Sequence, residues 1–382
     1  MSEDGTNPNK RLYYLDWLRV LVVLTLIPFH AALTYSGLGD TYIASPLHDV
    51  RIIPFMLIVS PLGNFFMVLL FFVSGIASFY SIQSRGIQRY ASERRDKLLI
   101  PLGIGTLLLC PLQAYFKALY DGFSGNFFEF FPEFFNKMAY YMGYAHLWFL
   151  LYLYVFSMVC IPLFKRWKGN PQILSSISGF LCRGHRILYP VAFIVIVEVI
   201  LRPVCNGQYT IVGDWANDIV YLSFFVFGYV FAANSDIRKK IEKYFNISIL
   251  LIPFCLAALF HTFWSWAVKG SGEMYLTYLW VFAKGVYECA AVIALLGIGR
   301  RFLDRKSPLL GYLNNASFAY YLFHYLPVSL FTYLLIGTNL NVYLKFGMAV
   351  VFSYIFIIIL YELIRRVKNV LKAGRRPNKQ SV

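Results

Sequence analysis

An arginine and a histidine eleven residues apart, Arg19 and His30, lie in the first long apolar stretch, YLDWLRVLVVLTLIPFH. An imidazole exchanges a proton near neutral pH, and a guanidinium holds an anionic oxygen pair in a fixed fork. On a helix this spacing is about three turns, so both side chains point the same way, about 16 Å apart along the axis. That geometry fits a site reached from two sides of a membrane. A plainer reading pairs Arg19 with Asp16 one turn earlier and packs His30 between helices. Pro28, just before His30, could bend the helix and free a carbonyl to line a cavity.

Other polar residues in apolar surroundings carry the same double reading, because ionisable groups inside a bilayer are costly and need a partner or a purpose. His146 opens HLWFL at the outer end of a span, where it is either an interfacial anchor or part of a site. His324, in NNASFAYYLFHYLPV, falls at about the depth of His30; the two could face one cavity, or each could make a helix–helix hydrogen bond. His261, among Phe260, Trp264 and Trp266, belongs to an aromatic belt. Glu198 with Arg202, and Lys284 with Glu288, are each four apart and can neutralise one another on one helix face. The basic run from Arg85 to Lys97 is an ordinary cytoplasmic loop or a phosphate-holding segment. His48 and His185 fall in connections and carry no special signal.

These residues must be positioned by membrane helices. With 59% hydrophobic residues, 19% aromatic, only 14% charged and a mean hydropathy of +0.59, the 382-residue chain cannot be a soluble domain. Its apolar stretches are about 20 residues long, the length that crosses about 30 Å of hydrocarbon as α-helix. They lack the short alternating pattern of a β-barrel. The expected fold is therefore all-α, a polytopic bundle of about ten spans near residues 13–36, 54–80, 98–118, 143–164, 187–205, 218–234, 246–267, 275–298, 313–336 and 343–364.

Charge checks that count independently, since basic residues accumulate on the cytoplasmic side. Most of the 35 Lys and Arg residues fall in alternate connections, among them Arg89, Arg94, Lys165, Arg166, Arg238, Lys239, Arg300 and Arg301, and in the tail after Arg365. The opposite connections hold only Arg51, Lys137, Arg202 and Lys269. Both termini are expected in the cytoplasm, and the net charge of +16 reads as topology and attraction to anionic lipid rather than a nucleic-acid surface. The polar start and long first span read as an uncleaved helix rather than a signal peptide. Six scattered cysteines indicate neither a metal site nor a disulfide framework. One membrane domain over 1–371 with a basic cytoplasmic tail over 372–382 is the simplest organisation.

In combination the motifs are more specific than their parts. LDWLRVLVVLTLIPFH resembles the opening Arg-x10-His signature of the integral-membrane acyltransferase-3 family; FFVSG resembles its conserved turn after the second span; RRDKLLIP resembles its basic entry to the third helix. HLWFL, NNASFAYYLFHYLPV and LYELIRR extend the likeness almost to the C-terminus. The resemblance implies a ten-helix core that transfers an acyl group, succinyl or acetyl, from cytoplasmic acyl-CoA to a hydroxyl of an envelope or periplasmic carbohydrate, in the cell inner membrane. It implies acyl-CoA as co-substrate, with no permanently bound cofactor. It implies catalytic roles for His30 and Arg19, donor binding by Arg94 and Lys97, and substrate contacts from His146, Arg202 and His324. Lys97 stands where arginine is usual, which weakens bidentate phosphate binding there.

On that footing His30 takes the acceptor hydroxyl's proton as it attacks the thioester, with Arg19 orienting the donor. No serine beside a histidine is evident, so direct transfer is preferred to an acyl-enzyme. A transporter or flippase is the main competitor, although no repeated halves are visible. A purely structural subunit would leave the motifs unexplained. The Phe- and Tyr-rich segment 119–142, with Asp121, Glu129 and Glu133, offers either sugar-stacking faces or interfacial anchors.

Overall fold

The computed structural model describes residues 12–36, 43–45, 50–141, 143–205, 211, 213–269 and 273–374; His48, Lys10, Arg11 and the last eight residues of the basic tail lie outside them. The described residues are helical, with no strand. In chain order the helices are α1 (Tyr13–Tyr35), α2 (Ile53–Arg85), α3 (Ile87–Arg94), α4 (Ile100–Tyr120), α5 (Phe127–Asn136), α6 (Trp148–Val159), α7 (Ile161–Gly169) and α8 (Pro171–Cys182). They continue with α9 (Tyr189–Leu201), α10 (Trp215–Ala233), α11 (Ser235–Glu242), α12 (Phe245–Lys269), α13 (Met274–Ile298), α14 (Pro308–Phe323), α15 (Tyr325–Ile336) and α16 (Val342–Gly374).

Among the described residues eight helical stretches are long and apolar enough to cross a membrane, or up to ten if each of two bent pairs is one span. The bent pairs are α6 with α7, at 44°, and α14 with α15, at 53°. Each of the ten expected spans falls on one of these stretches, and the protein is a multi-pass membrane protein. Both bends have a local cause. Pro162 and Pro327 lack an N–H, and the proline ring clashes with the carbonyl four residues earlier, which breaks the helix there. The second break falls on His324.

Pro28 does something different from what its position suggests. α1 runs unbroken through it, and the Leu24 carbonyl that its missing N–H releases accepts a 2.6 Å hydrogen bond from the Tyr354 hydroxyl of α16. The freed carbonyl ties two helices together instead of lining a cavity. FFVSG is likewise corrected: residues 71–75 are helical within α2, with no turn. Gly75 lies against α10, where an added Cβ would stand 1.9 Å from the Phe225 backbone oxygen; at Gly228 it would stand 2.0 Å from that of Phe72. Two glycines thus let two backbones touch, as small residues do in membrane helix pairs.

Candidate active site

α1 and α14 run side by side in the same direction. Arg19 Nη2 donates to Asn314 Oδ1, and eleven residues on, His30 meets His324, ten residues beyond Asn314. The sequence spacing within α1 is therefore matched on its neighbour. Arg19 also pairs with Asp16 at 3.2 Å, so the local ion pair and the contact across helices coexist.

Three imidazoles from distant parts of the chain converge at the far end of this pair. The His30 and His324 ring centres are 5.2 Å apart, and those of His146 and His324 are 4.9 Å apart. Tyr325 wedges between them, edge-on to His30 at 4.7 Å and stacked on His146 at 5.4 Å. His146 is therefore not an interfacial anchor. It arrives through a tight turn, Ala145–Leu147, in which Ala145 takes φ +41°, a left-handed conformation that side chains other than glycine seldom adopt. The bend at His324 presents that ring to the same point.

The backbone fixes how two of the rings carry their protons. His324 Nδ1 lies 2.6 Å from the Tyr321 carbonyl and His146 Nε2 lies 3.1 Å from that of Leu322; a carbonyl only accepts, so each of those nitrogens is protonated. The other nitrogen of a neutral His324, Nε2, is buried and has no hydrogen-bond partner among the described residues. The Tyr321 hydroxyl donates to the His146 carbonyl at 2.8 Å and locks the turn. His146 and His324 are buried, while His30 is half-buried and is the most accessible ring of the three. A partly accessible imidazole beside two buried ones can exchange a proton with a group that enters the cluster.

The remaining expected site residues do not join this cluster. Arg94 is half-buried, donates to Ser78 Oγ at 2.9 Å and lies over the Tyr90 ring at 5.0 Å. Lys97 points outward, 70% exposed, to Glu93 at 3.1 Å; Glu93 also takes Arg85 and Arg89. The two basic residues do not converge on one point, because the turn between α3 and α4 is π-helical and swings Lys97 away.

Arg202 belongs to a separate buried network. It grips Glu198 with Nε and Nη2, both at 2.9 Å, reaches Asn217 at 2.7 Å, and lies 3.5 Å from Asp214. Lys284 bonds Glu198 at 2.7 Å and Glu288 at 2.5 Å. The two expected pairs exist, yet Glu198 joins them across α9 and α13 into one network. In segment 119–142 the three acids are used locally: Glu129 completes the cap of α5, Glu133 holds Lys137, and Asp121 holds Lys117 and Tyr140. Asn314 and Tyr325 were hidden in a motif read for His324.

The protein is thus a multi-pass helical bundle with an imidazole cluster inside it. The chain belongs to the acyltransferase-3 family, whose model, an acyltransferase domain, matches residues 12–362, and it is an enzyme that transfers acyl groups. It is similar to glucans biosynthesis protein C of Escherichia coli O1:K1 / APEC, 26% identical over 387 residues that cover 94% of this chain and 93% of that one. The protein of the same name from Shigella boydii serotype 4 (strain Sb227) is 25% identical with the same coverage. No solved structure matches the chain.

Proposed function

We propose that this protein is an O-acyltransferase of the inner membrane that moves a succinyl or acetyl group from cytoplasmic acyl-CoA to a hydroxyl of a periplasmic glucan or related envelope glycan. The observation that carries this reading is the convergence of His30, His146 and His324, with His30 the most accessible. The acceptor class follows the relatives' name, and the sidedness of the basic connections supports cytoplasmic termini and a donor that enters from that side. The same basic face attracts anionic lipid.

In the proposed step His30 accepts the proton of the acceptor hydroxyl as its oxygen attacks the thioester carbonyl. The ester C–O bond forms, the C–S bond breaks, and the proton passes to the departing CoA thiolate. His146 and His324 pack beside His30 and fix its surroundings. Arg19, anchored by Asn314, orients the donor from the basic end, about 16 Å away along α1. Arg94 contributes charge for the donor phosphates; Lys97 contributes only long-range attraction from its exposed position. Arg202 acts on the acceptor side.

Mass spectrometry of envelope glycans from a deletion strain tests the reading. Loss of an acyl mass increment, restored by the wild-type gene and not by a stably expressed His30→Ala variant, supports it. Full restoration by His30→Ala removes His30 as the base.

A further inference from the structure

The Glu198 network forms one wall of a cavity of about 270 Å³, also lined by Gly63, Asn64, Tyr221 and Trp280. It is larger than the roughly 150 Å³ engineered cavity that admits a benzene ring. The cavity is distinct from the histidine cluster and adjoins it: a Cβ on Gly63 would stand 3.2 Å from Phe29, whose ring centre is 5.1 Å from that of His30. On another side Tyr221 stacks on Trp148, two residues after His146.

Charge decides what this cavity can hold. Two cations, Arg202 and Lys284, face three carboxylates, Glu198, Glu288 and Asp214, and every cation is already bound to a carboxylate. Both lining cations are thus neutralised by carboxylates on or behind the wall, so the cavity offers a carboxylate or phosphate ligand no free cation. Glu288, which lines the cavity, is only 2% exposed, and its Oε2 is buried with no hydrogen-bond partner among the described residues. A buried carboxylate oxygen left in this state costs free energy that a ligand O–H recovers. Trp280 supplies a flat apolar face beside it. An aromatic plane next to hydrogen-bond acceptors is matched by one face and one edge of a sugar ring.

We propose that this cavity is a binding subsite for one neutral sugar ring of the acceptor, with a hydroxyl donating to Glu288 Oε2 and the ring seated on Trp280. The choice of acceptor over another hydroxyl-rich ligand rests on the acyl-transfer reading; the preference for a neutral polyhydroxylated ring rests on the cavity alone. A succinyl carboxylate finds no free cation in it.

The test is binding of a neutral gluco-oligosaccharide, and of its carboxylated counterpart, to the full-length protein in lipid nanodiscs, by calorimetry. Trp280→Ala removes the platform without touching the ion network. In Glu288→Gln the amide oxygen stays on Lys284 and an NH2 donor replaces the acceptor. Saturable binding of the neutral probe, weakened at least tenfold by each variant, retained by His30→Ala and much weaker for the anionic probe, supports the subsite. No binding by the wild type, wild-type affinity in both variants, or preference for the anionic probe overturns it. If the neutral probe binds as described but is never acylated by acyl-CoA, the acyl-transfer reading fails and the subsite stands. If acylation proceeds with an unchanged acceptor KM in both variants, the subsite fails and the reading stands.

Discussion

Gly75→Ala adds a single methyl group where α2 and α10 touch. Its Cβ would stand 1.9 Å from the Phe225 backbone oxygen, against the 3.4–4 Å of ordinary contact, and 3.0 Å from the Tyr229 nitrogen. A flexible side chain could turn aside, but a backbone oxygen inside a helix cannot, so the two helices must separate by more than an ångström. Overpacking of this kind costs about 1–3 kcal/mol, here near the top of that range, while replacing a helical glycine returns up to about 1, leaving about 2 kcal/mol of net destabilisation. Gly103, in α4, is the matched control: nothing lies within 4 Å of its added Cβ, so Gly103→Ala is neutral or stabilising. The assay is the fraction of detergent-solubilised protein that survives heating and runs as a single species on size exclusion. Gly75→Ala should fail several degrees below wild type. Because α2 and α10 also contribute Gly63, Asn64, Asn217 and Tyr221 to the cavity, the surviving protein should bind acceptor less tightly. If Gly75→Ala melts with wild type and Gly103→Ala, the close-contact explanation of FFVSG is wrong.

Four further outcomes are expected. Glu198→Ala removes the carboxylate that Arg202 and Lys284 share, but leaves Arg202 on Asp214 and Lys284 on Glu288, so in the same heating assay it should destabilise by less than the about 3–5 kcal/mol of a fully broken buried pair. Tyr354→Phe, which removes the donor to the Leu24 carbonyl, should cost only about 0.6 kcal/mol, the average for such bonds in membranes. Ala145→Gly should raise stability by about 1 kcal/mol by relieving the positive φ, while lowering transfer because His146 is held less firmly. Lys97→Ala should change acyl transfer less than twofold and Arg94→Ala at least tenfold, measured as initial rates over donor concentration, because only Arg94 is held against the helix bundle.

The spans and their ends are legible in the sequence because the bilayer demands about 20 apolar residues and loop charge alternates. The histidine depth was legible too: His30 and His324 face one another as their positions within two spans suggest. Periodicity names the face a residue occupies, but not the helix it meets. Glu198 and Arg202 therefore read as a closed pair, while Lys284, 86 positions away, completes them. His146 stayed open between anchor and site residue because its neighbours are aromatic, and the left-handed Ala145 that turns it inward leaves no trace in residue type. FFVSG was expected as a turn only through the family resemblance, and its glycine could not decide, because glycine serves both turns and close helix contacts. Pro28 correctly signalled a freed carbonyl, but which hydroxyl would claim it depends on α16, more than 300 residues later.

The most direct measurement places the purified protein in liposomes, with neutral glucan enclosed and acyl-CoA labelled in its acyl group outside. Recovery of labelled ester on the enclosed glucan, at a rate cut by about 10²–10⁴ in His30→Ala, is the predicted result for a general base that serves a donor and an acceptor from opposite sides of the membrane. Transfer at an unchanged rate in His30→Ala, or glucan that leaves the liposomes unmodified, would contradict it.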